Sequence, residues 1–190
     1  MLDDLEHLSV SVWSQLAAAI DDPQHPYWLL SMATVGLDHS PESRLLVLRE
    51  VDADDFALSF HTDIRSQKWK QLGSNPDTAL SGYDPINRVQ VRFKGKSTLF
   101  DYRSEMNQQV WNSLSMDRKK LCSGDIPANP VNSSPDSNNQ YAEDLAAKNF
   151  GIIRVNIQHL DWLILDPASH RRALIDYAHS GLIQGRWVNP

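Results

Sequence analysis

The stretch RLLVLREVDADDFALSFHTDIRSQK, residues 44–68, decides the fold that the sequence predicts. It contains two short apolar runs, 44–51 and 56–61, which the turn-forming segment DADD connects. Two such runs around a turn predict a β-hairpin. After the hairpin the chain passes Thr62 and enters a short helix at Ser66, so a hydroxyl-bearing strand end leads directly into a helix N-terminus.

Basic and polar side chains cluster where the predicted strands end. The clusters are Arg44 and Arg49, then Thr62, Ser66 and Lys68, then Gln90 and Arg92. A hydroxyl and an ammonium at a helix N-terminus suit a phosphate group. A helix cap or a solvated strand edge is the more frequent reason for any one such cluster. Arg44 and Arg49 face opposite sides of a regular strand, so a ligand that contacts both must reach one of them at the strand end or through the backbone.

The pattern along the rest of the chain is mainly β. Helical spacing of apolar residues predicts helices at 5–20, 66–72, 102–114 and 141–148. Short apolar or alternating runs predict strands at 27–35, 44–51, 56–61, 78–83, 89–100, 150–157, 160–165 and 172–177. Strands at this spacing predict an antiparallel β-barrel with peripheral helices, in a single domain that spans residues 1–190. The Pro-, Ser- and Asn-rich segment 121–140 predicts a flexible loop.

Composition and charge argue against several classes of protein. The 190 residues are 41% hydrophobic and 22% charged, as in ordinary globular proteins. The formal net charge of −6 argues against nucleic acid as a partner. No apolar run approaches the roughly 20 residues of a membrane span. A single cysteine and the absence of any HxxxH or CxxC spacing predict no metal site. The acidic start of the chain predicts a cytoplasmic protein.

Four segments, in order and with their spacing kept, resemble the flavin-binding pattern of the pyridoxamine 5'-phosphate oxidase family. They are Arg44-Leu-Leu-Val-Leu-Arg49, Phe60-His-Thr-Asp63 with Ser66-Gln-Lys68, Asn75-Pro-Asp-Thr-Ala-Leu80, and Val89-Gln-Val-Arg-Phe-Lys-Gly95. Looser similarity continues through 160–162, 170–172 and 185–190. The resemblance implies an FMN-binding split barrel of the antiparallel Greek-key type.

The resemblance also implies which residues contact FMN. The phosphate would be held by Arg44, by Ser66 or its neighbour Gln67, and by Lys68. The ring would lie along backbone from two strands, namely Arg44, Leu45, Leu46, Val47, Leu48 and Arg49, and His61 and Thr62. Gln90 would bond the ring edge. Family members are homodimers with FMN at the subunit interface, so Arg172, in preference to Arg171, would reach the flavin from the partner subunit.

The implied activity is oxidoreduction, in which a small substrate passes a hydride to FMN. Pyridoxamine or pyridoxine 5'-phosphate is the family substrate. This sequence has Arg49 where the family has Lys and Gln67 where it has Arg, and residues 108–115 contain no Arg to grip a substrate phosphate. The catalytic residues are therefore left unassigned. The alternative is a non-catalytic FMN carrier or redox-sensing dimer, and a third hypothesis is a split barrel that has exchanged FMN for haem or a deazaflavin.

Overall fold

The computed structural model describes residues 2–124, 127, 142–165, 170–178 and 183–190. Its helices are α1 (Leu2–Ala18), α2 (Gln67–Ser74), α3 (Glu105–Ser113), α4 (Met116–Lys120) and α5 (Glu143–Asn149). Its strands are β1 (Leu29–Val35), β2 (Pro41–Asp52), β3 (Ala57–Asp63), β4 (Asp77–Asp84), β5 (Val89–Phe100), β6 (Phe150–Ile164), β7 (Arg171–Tyr177) and β8 (Ile183–Val188). Within these residues no helix is both long and apolar enough to cross a membrane.

Six strands form a closed antiparallel barrel in the order β3-β2-β1-β4-β5-β6, which the pairing of β3 with β6 completes. The strands β1, β2 and β3 follow one another as hairpins, and β4 returns to lie beside β1, which is a Greek key. The helix α2 lies in the connection between β3 and β4. The strands β7 and β8 continue the sheet outward from β6. The predicted fold, a mainly β barrel with peripheral helices, is confirmed.

Inward-facing side chains fill the barrel. Phe60 and Phe93 are fully buried, and so are aliphatic side chains from the other strands, namely Leu30, Met32, Leu48, Leu58, Leu80, Val91, Ile153 and Val155. Burial of one such side chain stabilises the fold by roughly 1.5–3 kcal/mol. The helix α1 packs on this core through Trp13, whose indole N–H donates to the Tyr177 hydroxyl at 3.0 Å.

The strand β6 is continuous, whereas the sequence predicted two strands at 150–157 and 160–165. A β-bulge at Gln158 bends it between these two parts, and the ladder with β5 resumes on either side. Gly95 lies opposite the bulge, where a Cβ would stand 2.1 Å from the Asn156 carbonyl oxygen. The predicted break between 157 and 160 is therefore wrong, because the bulge opposite Gly95 lets β6 stay paired with β5 along its length.

The sequence pattern missed α4 and β8. They contain five and six residues, which is too short for a clear periodicity. The predicted flexible loop at 121–140 falls mostly outside the described residues, which include only 121–124 and 127 of it. The flexibility of this loop stays a prediction.

Candidate functional site

The barrel is open between the first half of β2 and the end of β3. The ladder of these two strands ends where Leu48 pairs with Phe60. Beyond that point the described pairings of β2 are with β1, and those of β3 are with β6. Among the described residues, the facing edges of 44–47 and 61–63 therefore have no neighbouring strand. We call this gap the β2–β3 opening.

A β-bulge at Arg49 marks the point where the opening begins. Leu48 and Glu50 have partners on β3, and Arg49 between them is the extra residue. The side chains of Arg44 and Arg49 were expected to face opposite sides of β2, and they contact different parts of the protein. Arg44 reaches β1 and α2, whereas Arg49 lines a pocket beside His61. The two guanidiniums thus serve two neighbouring sites at one opening.

Arg44 is held at one end of the opening by neutral groups. Its Nη1 donates to the Thr34 hydroxyl at 2.6 Å and to the Met32 carbonyl at 3.4 Å, and its Nη2 donates to the Gln71 Oε1 at 3.0 Å. Among the described residues, one carboxylate lies within ion-pair distance, that of Glu42 at 3.7 Å, and it is half exposed. Burial lowers the pKa of Arg44. A partly desolvated guanidinium with mostly neutral partners favours an incoming anion.

Ser66 and Lys68 stand at the N-terminus of α2. Ser66 occupies the N-cap position without a side-chain capping bond, and its hydroxyl lies 3.3 Å from that of Thr62. The side-chain cap considered for Ser66 is therefore not formed. Lys68 makes no hydrogen bond or ion pair with any described residue. Burial, and then the charge of Arg44, lower the pKa of its ammonium. Gln67 is exposed, so of the four residues predicted to hold the phosphate (Arg44, Ser66, Gln67 and Lys68) it is the least well placed to do so.

The charge of Asp63, which also acts on Lys68, is already balanced by its own neighbour. The Asp63 carboxylate accepts hydrogen bonds from the Nε and Nη2 atoms of Arg65 at 2.9 and 2.6 Å, and from the Arg65 backbone N–H at 2.7 Å. These bonds hold the carboxylate in the turn before α2. This ion pair offsets the charge of Asp63, and Lys68 is the neighbouring cation at the N-terminus of α2.

A second pair of cations lines a pocket of about 140 Å³ between β3 and the segment 114–122, which includes α4. Arg49, His61 and Arg118 contribute to its wall, together with Leu114 and Cys122. Burial, and then the charge of Arg118, lower the pKa of Arg49. Neither arginine forms an ion pair with any described residue. Two unpaired guanidiniums around a small pocket suit a carboxylate or a phosphate.

His61 is neutral in this pocket. Its pKa is lowered from 6.5 to about 4 by burial first, and then by the charges of Arg49 and Arg118. The imidazole packs edge-on against Phe150, with ring centroids 5.0 Å apart. A neutral imidazole can donate or accept a hydrogen bond at the pocket wall while the positive charge stays on the arginines.

We expect His61 to make the free energy of unfolding depend on pH between about 6.5 and 4. As the pH falls, the unfolded chain protonates His61 near 6.5, whereas the folded chain does so near 4. The stability that this residue contributes is therefore present above pH 6.5 and is lost on acidification. In urea denaturation at about pH 7 and about pH 4.5, the His61→Gln variant should lose less stability than the wild type. Equal losses in the two proteins would contradict the lowered pKa.

Gln90 and Arg172 lie away from the β2–β3 opening. Gln90 is on β5, three strands from β2, which is roughly 14 Å across the sheet at the usual spacing. It pairs with Leu163, which pairs with Arg172, so the three share one row of the sheet. Arg172 donates two hydrogen bonds to Asp161 at 2.9 and 2.8 Å, and Arg92 pairs with the same carboxylate. A single chain does not bring Gln90 and Arg172 to Arg44 and Lys68.

The remaining side chains that the sequence analysis considered for a functional role have local contacts instead. Arg171, the alternative to Arg172, lies over the Trp187 ring at 4.2 Å. Burial raises the pKa of the Cys122 thiol to about 11, so this cysteine is not a thiolate at neutral pH. Within the described part of the chain, no three His, Cys, Asp or Glu side chains are grouped closely enough to hold a metal ion.

Sequence reasoning missed three residues of these two sites, namely Arg118 beside Arg49, and Thr34 and Gln71 beside Arg44. Arg118 belongs to α4, which was not predicted, and the run Arg118-Lys119-Lys120 is typical of a solvated helix face. Thr34 and Gln71 contact each other across 37 positions, and no local pattern marks such a pair. Co-variation of paired positions in an alignment of homologous sequences could have identified these residues, whereas their spacing in one sequence could not.

Comparison with known proteins finds a family model and curated relatives that match about half of the chain. The family model of the pyridoxamine 5'-phosphate oxidase FMN-binding domain matches residues 10–101. The pyridoxine/pyridoxamine 5'-phosphate oxidase of Thermosynechococcus vestitus is 33% identical over 93 residues, which are 49% of this chain and 41% of that protein. The chain therefore spans about two fifths of the length of this curated relative.

Two solved structures share the fold over nearly the whole chain. A pyridoxamine 5'-phosphate oxidase-related FMN-binding protein from Nostoc punctiforme has a TM-score of 0.79 at 22% identity, over 95% of this chain and 96% of that one. PhzG from Burkholderia lata, solved in complex with tetrahydrophenazine-1-carboxylic acid, has a TM-score of 0.72 at 16% identity, over 98% and 92%. At these identities the likeness establishes the fold.

The six strands close into an antiparallel barrel, but the ladder between β2 and β3 is formed over only part of their length. This architecture is a split β-barrel. Arg44, Lys68 and Gln90 fall inside the segment that the family model matches, and Arg118 and Arg172 fall outside it. Through residues 10–101, the chain is similar to the FMN-binding domains of the pyridoxamine 5'-phosphate oxidase family.

Proposed function

We propose that the protein binds FMN at the β2–β3 opening, with the phosphate between Arg44 and Lys68. The observation that carries this proposal is a strand edge that pairs with no described strand and ends beside two partly buried cations. The hydroxyl of Ser66, which is not used as a cap, and the first N–H groups of α2 add donors for a phosphate. The edges of 44–47 and 61–63 offer backbone hydrogen bonds to a flat ring. The residues present therefore fit a phosphorylated flavin.

We propose further that the protein is an oxidoreductase that acts on a small anionic substrate. FMN, when bound, supplies the hydride and electron chemistry. Arg49 and Arg118 would bind a phosphate or carboxylate of the substrate, and neutral His61 would offer it a hydrogen bond. This second pocket for an anion favours an enzyme over a flavin carrier, because a carrier needs only the cofactor site.

The third part of the proposal is a homodimer whose interface completes the FMN site. The β2–β3 opening is an open strand edge and not an enclosed pocket, whereas small-molecule sites bury most of the surface of their ligand. A second surface is needed to enclose a flavin. Arg172 would reach the flavin of the other subunit, and Gln90 lies in the same row. Two neighbouring grooves of about 490 and 420 Å³, which share Ala33, Ala79 and Lys94, offer a surface for the second copy.

The visible absorption spectrum of the purified protein tests the cofactor. We expect flavin bands, or uptake of added FMN with about micromolar affinity or better. A colourless protein that takes up no FMN would rule out this function. Formation of pyridoxal 5'-phosphate from pyridoxine 5'-phosphate tests the oxidase activity, and light scattering tests the dimer.

The organisation of residues 1–190 as a single domain and the cytoplasmic location also stay proposals. They rest on the composition and the pattern of the sequence.

A further inference from the structure

We propose that Gln71, together with Thr34, is a positioning residue that fixes the Arg44 guanidinium and keeps its charge available to a phosphate. This inference rests on the FMN site proposed above. Neither residue was a candidate on sequence grounds, and neither stands at the opening itself. They act through Arg44, with which they form a closed hydrogen-bonded triangle that we call the Thr34–Arg44–Gln71 network.

The network is satisfied from within. The Oε1 of Gln71 accepts from the Thr34 hydroxyl at 2.7 Å and from Arg44 Nη2 at 3.0 Å, and the Thr34 oxygen accepts from Arg44 Nη1 at 2.6 Å. Thr34 is 4% exposed and Gln71 is 5% exposed. The guanidinium is therefore gripped from two directions, by β1 through Thr34 and by α2 through Gln71, where water competes little for these bonds.

This grip leaves part of the guanidinium free. Arg44 uses three N–H groups in its contacts with Thr34, Gln71 and the Met32 carbonyl. The half-exposed Glu42 carboxylate lies 3.7 Å from Nη2, which is beyond hydrogen-bond distance. A guanidinium carries five such groups, so two remain for a phosphate oxygen pair. Gln71 belongs to the same helix as Lys68, so its bond to Arg44 also fixes the distance between the two cations.

The neutrality of the two partners matters as much as their positions. A carboxylate at position 71 would form a buried ion pair with Arg44 and cancel the charge that attracts a phosphate. The amide of Gln71 and the hydroxyl of Thr34 satisfy the guanidinium without neutralising it. The network should therefore set the preference of the site for FMN over riboflavin, which has the same ring and no phosphate.

The variant Gln71→Glu tests this inference with FMN and riboflavin as probes. We expect the dissociation constant for FMN to rise by about tenfold or more, and that for riboflavin to change by less than about twofold. Unchanged FMN affinity, or equal weakening for both flavins, would overturn the role of Gln71. Circular dichroism of each variant shows whether it is folded.

The variant Thr34→Val decides the matter if Gln71→Glu does not fold, because it removes one hydroxyl and keeps the shape. This substitution should raise the dissociation constant for FMN by about threefold or more in the wild type, and it should have no effect in an Arg44→Ala background. An equal effect in both backgrounds would show that Thr34 does not act through Arg44. If Arg44→Ala itself leaves FMN affinity unchanged, the proposed phosphate site is wrong, which is a separate failure.

Discussion

Replacing Arg44 and Lys68 together by alanine is expected to weaken FMN binding by at least about 100-fold, because each cation supplies a charge-assisted hydrogen bond worth about 1.5–3 kcal/mol. Both side chains are partly desolvated in the free protein, and their mutual repulsion is relieved when a phosphate lies between them. Titration of the cofactor-free protein with FMN, followed by quenching of flavin fluorescence, measures the change.

The matched control for this variant is Lys70→Ala. Lys70 lies on α2 two positions after Lys68, and it is exposed. Its removal should change the affinity for FMN by less than about twofold. The double variant should bind riboflavin as the wild type does. An undiminished affinity for FMN would move the phosphate to another place on the barrel.

Replacing Arg49 and Arg118 together by alanine is expected to lower kcat/KM for pyridoxine 5'-phosphate by about 100-fold or more while FMN stays bound. The two guanidiniums line one pocket and have no ion-pair partner among the described residues, so each is available to the substrate anion. Steady-state kinetics and the flavin spectrum of the same samples separate the loss of substrate binding from the loss of cofactor.

The control for this second variant is Lys120→Ala. Lys120 is on the same short helix as Arg118, is exposed, and lies 3.9 Å from Asp117. It should leave kcat/KM within about twofold of the wild type. If the arginine variant turns over pyridoxine 5'-phosphate normally, the pocket is not the anion site. A wild type that turns over none would reject this substrate and leave the cofactor proposal standing.

The fold could be predicted because its signals are local. The hairpin of residues 44–61 shows as two apolar runs around an acidic turn, and β5 was predicted with the bounds it has. Bulges carry no such signal. Arg49 and Gln158 are ordinary residues in apolar strands, and only pairing with a neighbouring strand shows that each is the extra one.

The candidate site was predictable on one side only. Arg44, Ser66 and Lys68 are close in sequence to strand ends and a helix start, so their gathering follows from the order of the elements. Arg118 lies in the same pocket as Arg49 because the five-residue helix α4 places it there, and a helix this short has no clear sequence signal. The contact of Thr34 with Gln71 depends on how α2 packs against β1, which is a tertiary fact that propensity and spacing do not contain.

The β2–β3 opening has a consequence for the behaviour of the protein in concentrated solution. An unpaired strand edge can join the edge of another chain, and proteins protect such edges with charged side chains. Arg49 and Lys68 stand beside this edge as positive charges without an ion-pair partner in the described residues. The charges that would attract the substrate (Arg49) and the cofactor (Lys68) therefore also keep two open barrels from pairing edge to edge. Removal of these cations would cost solubility as well as affinity, and a bound flavin would restore part of the protection by occupying the edge.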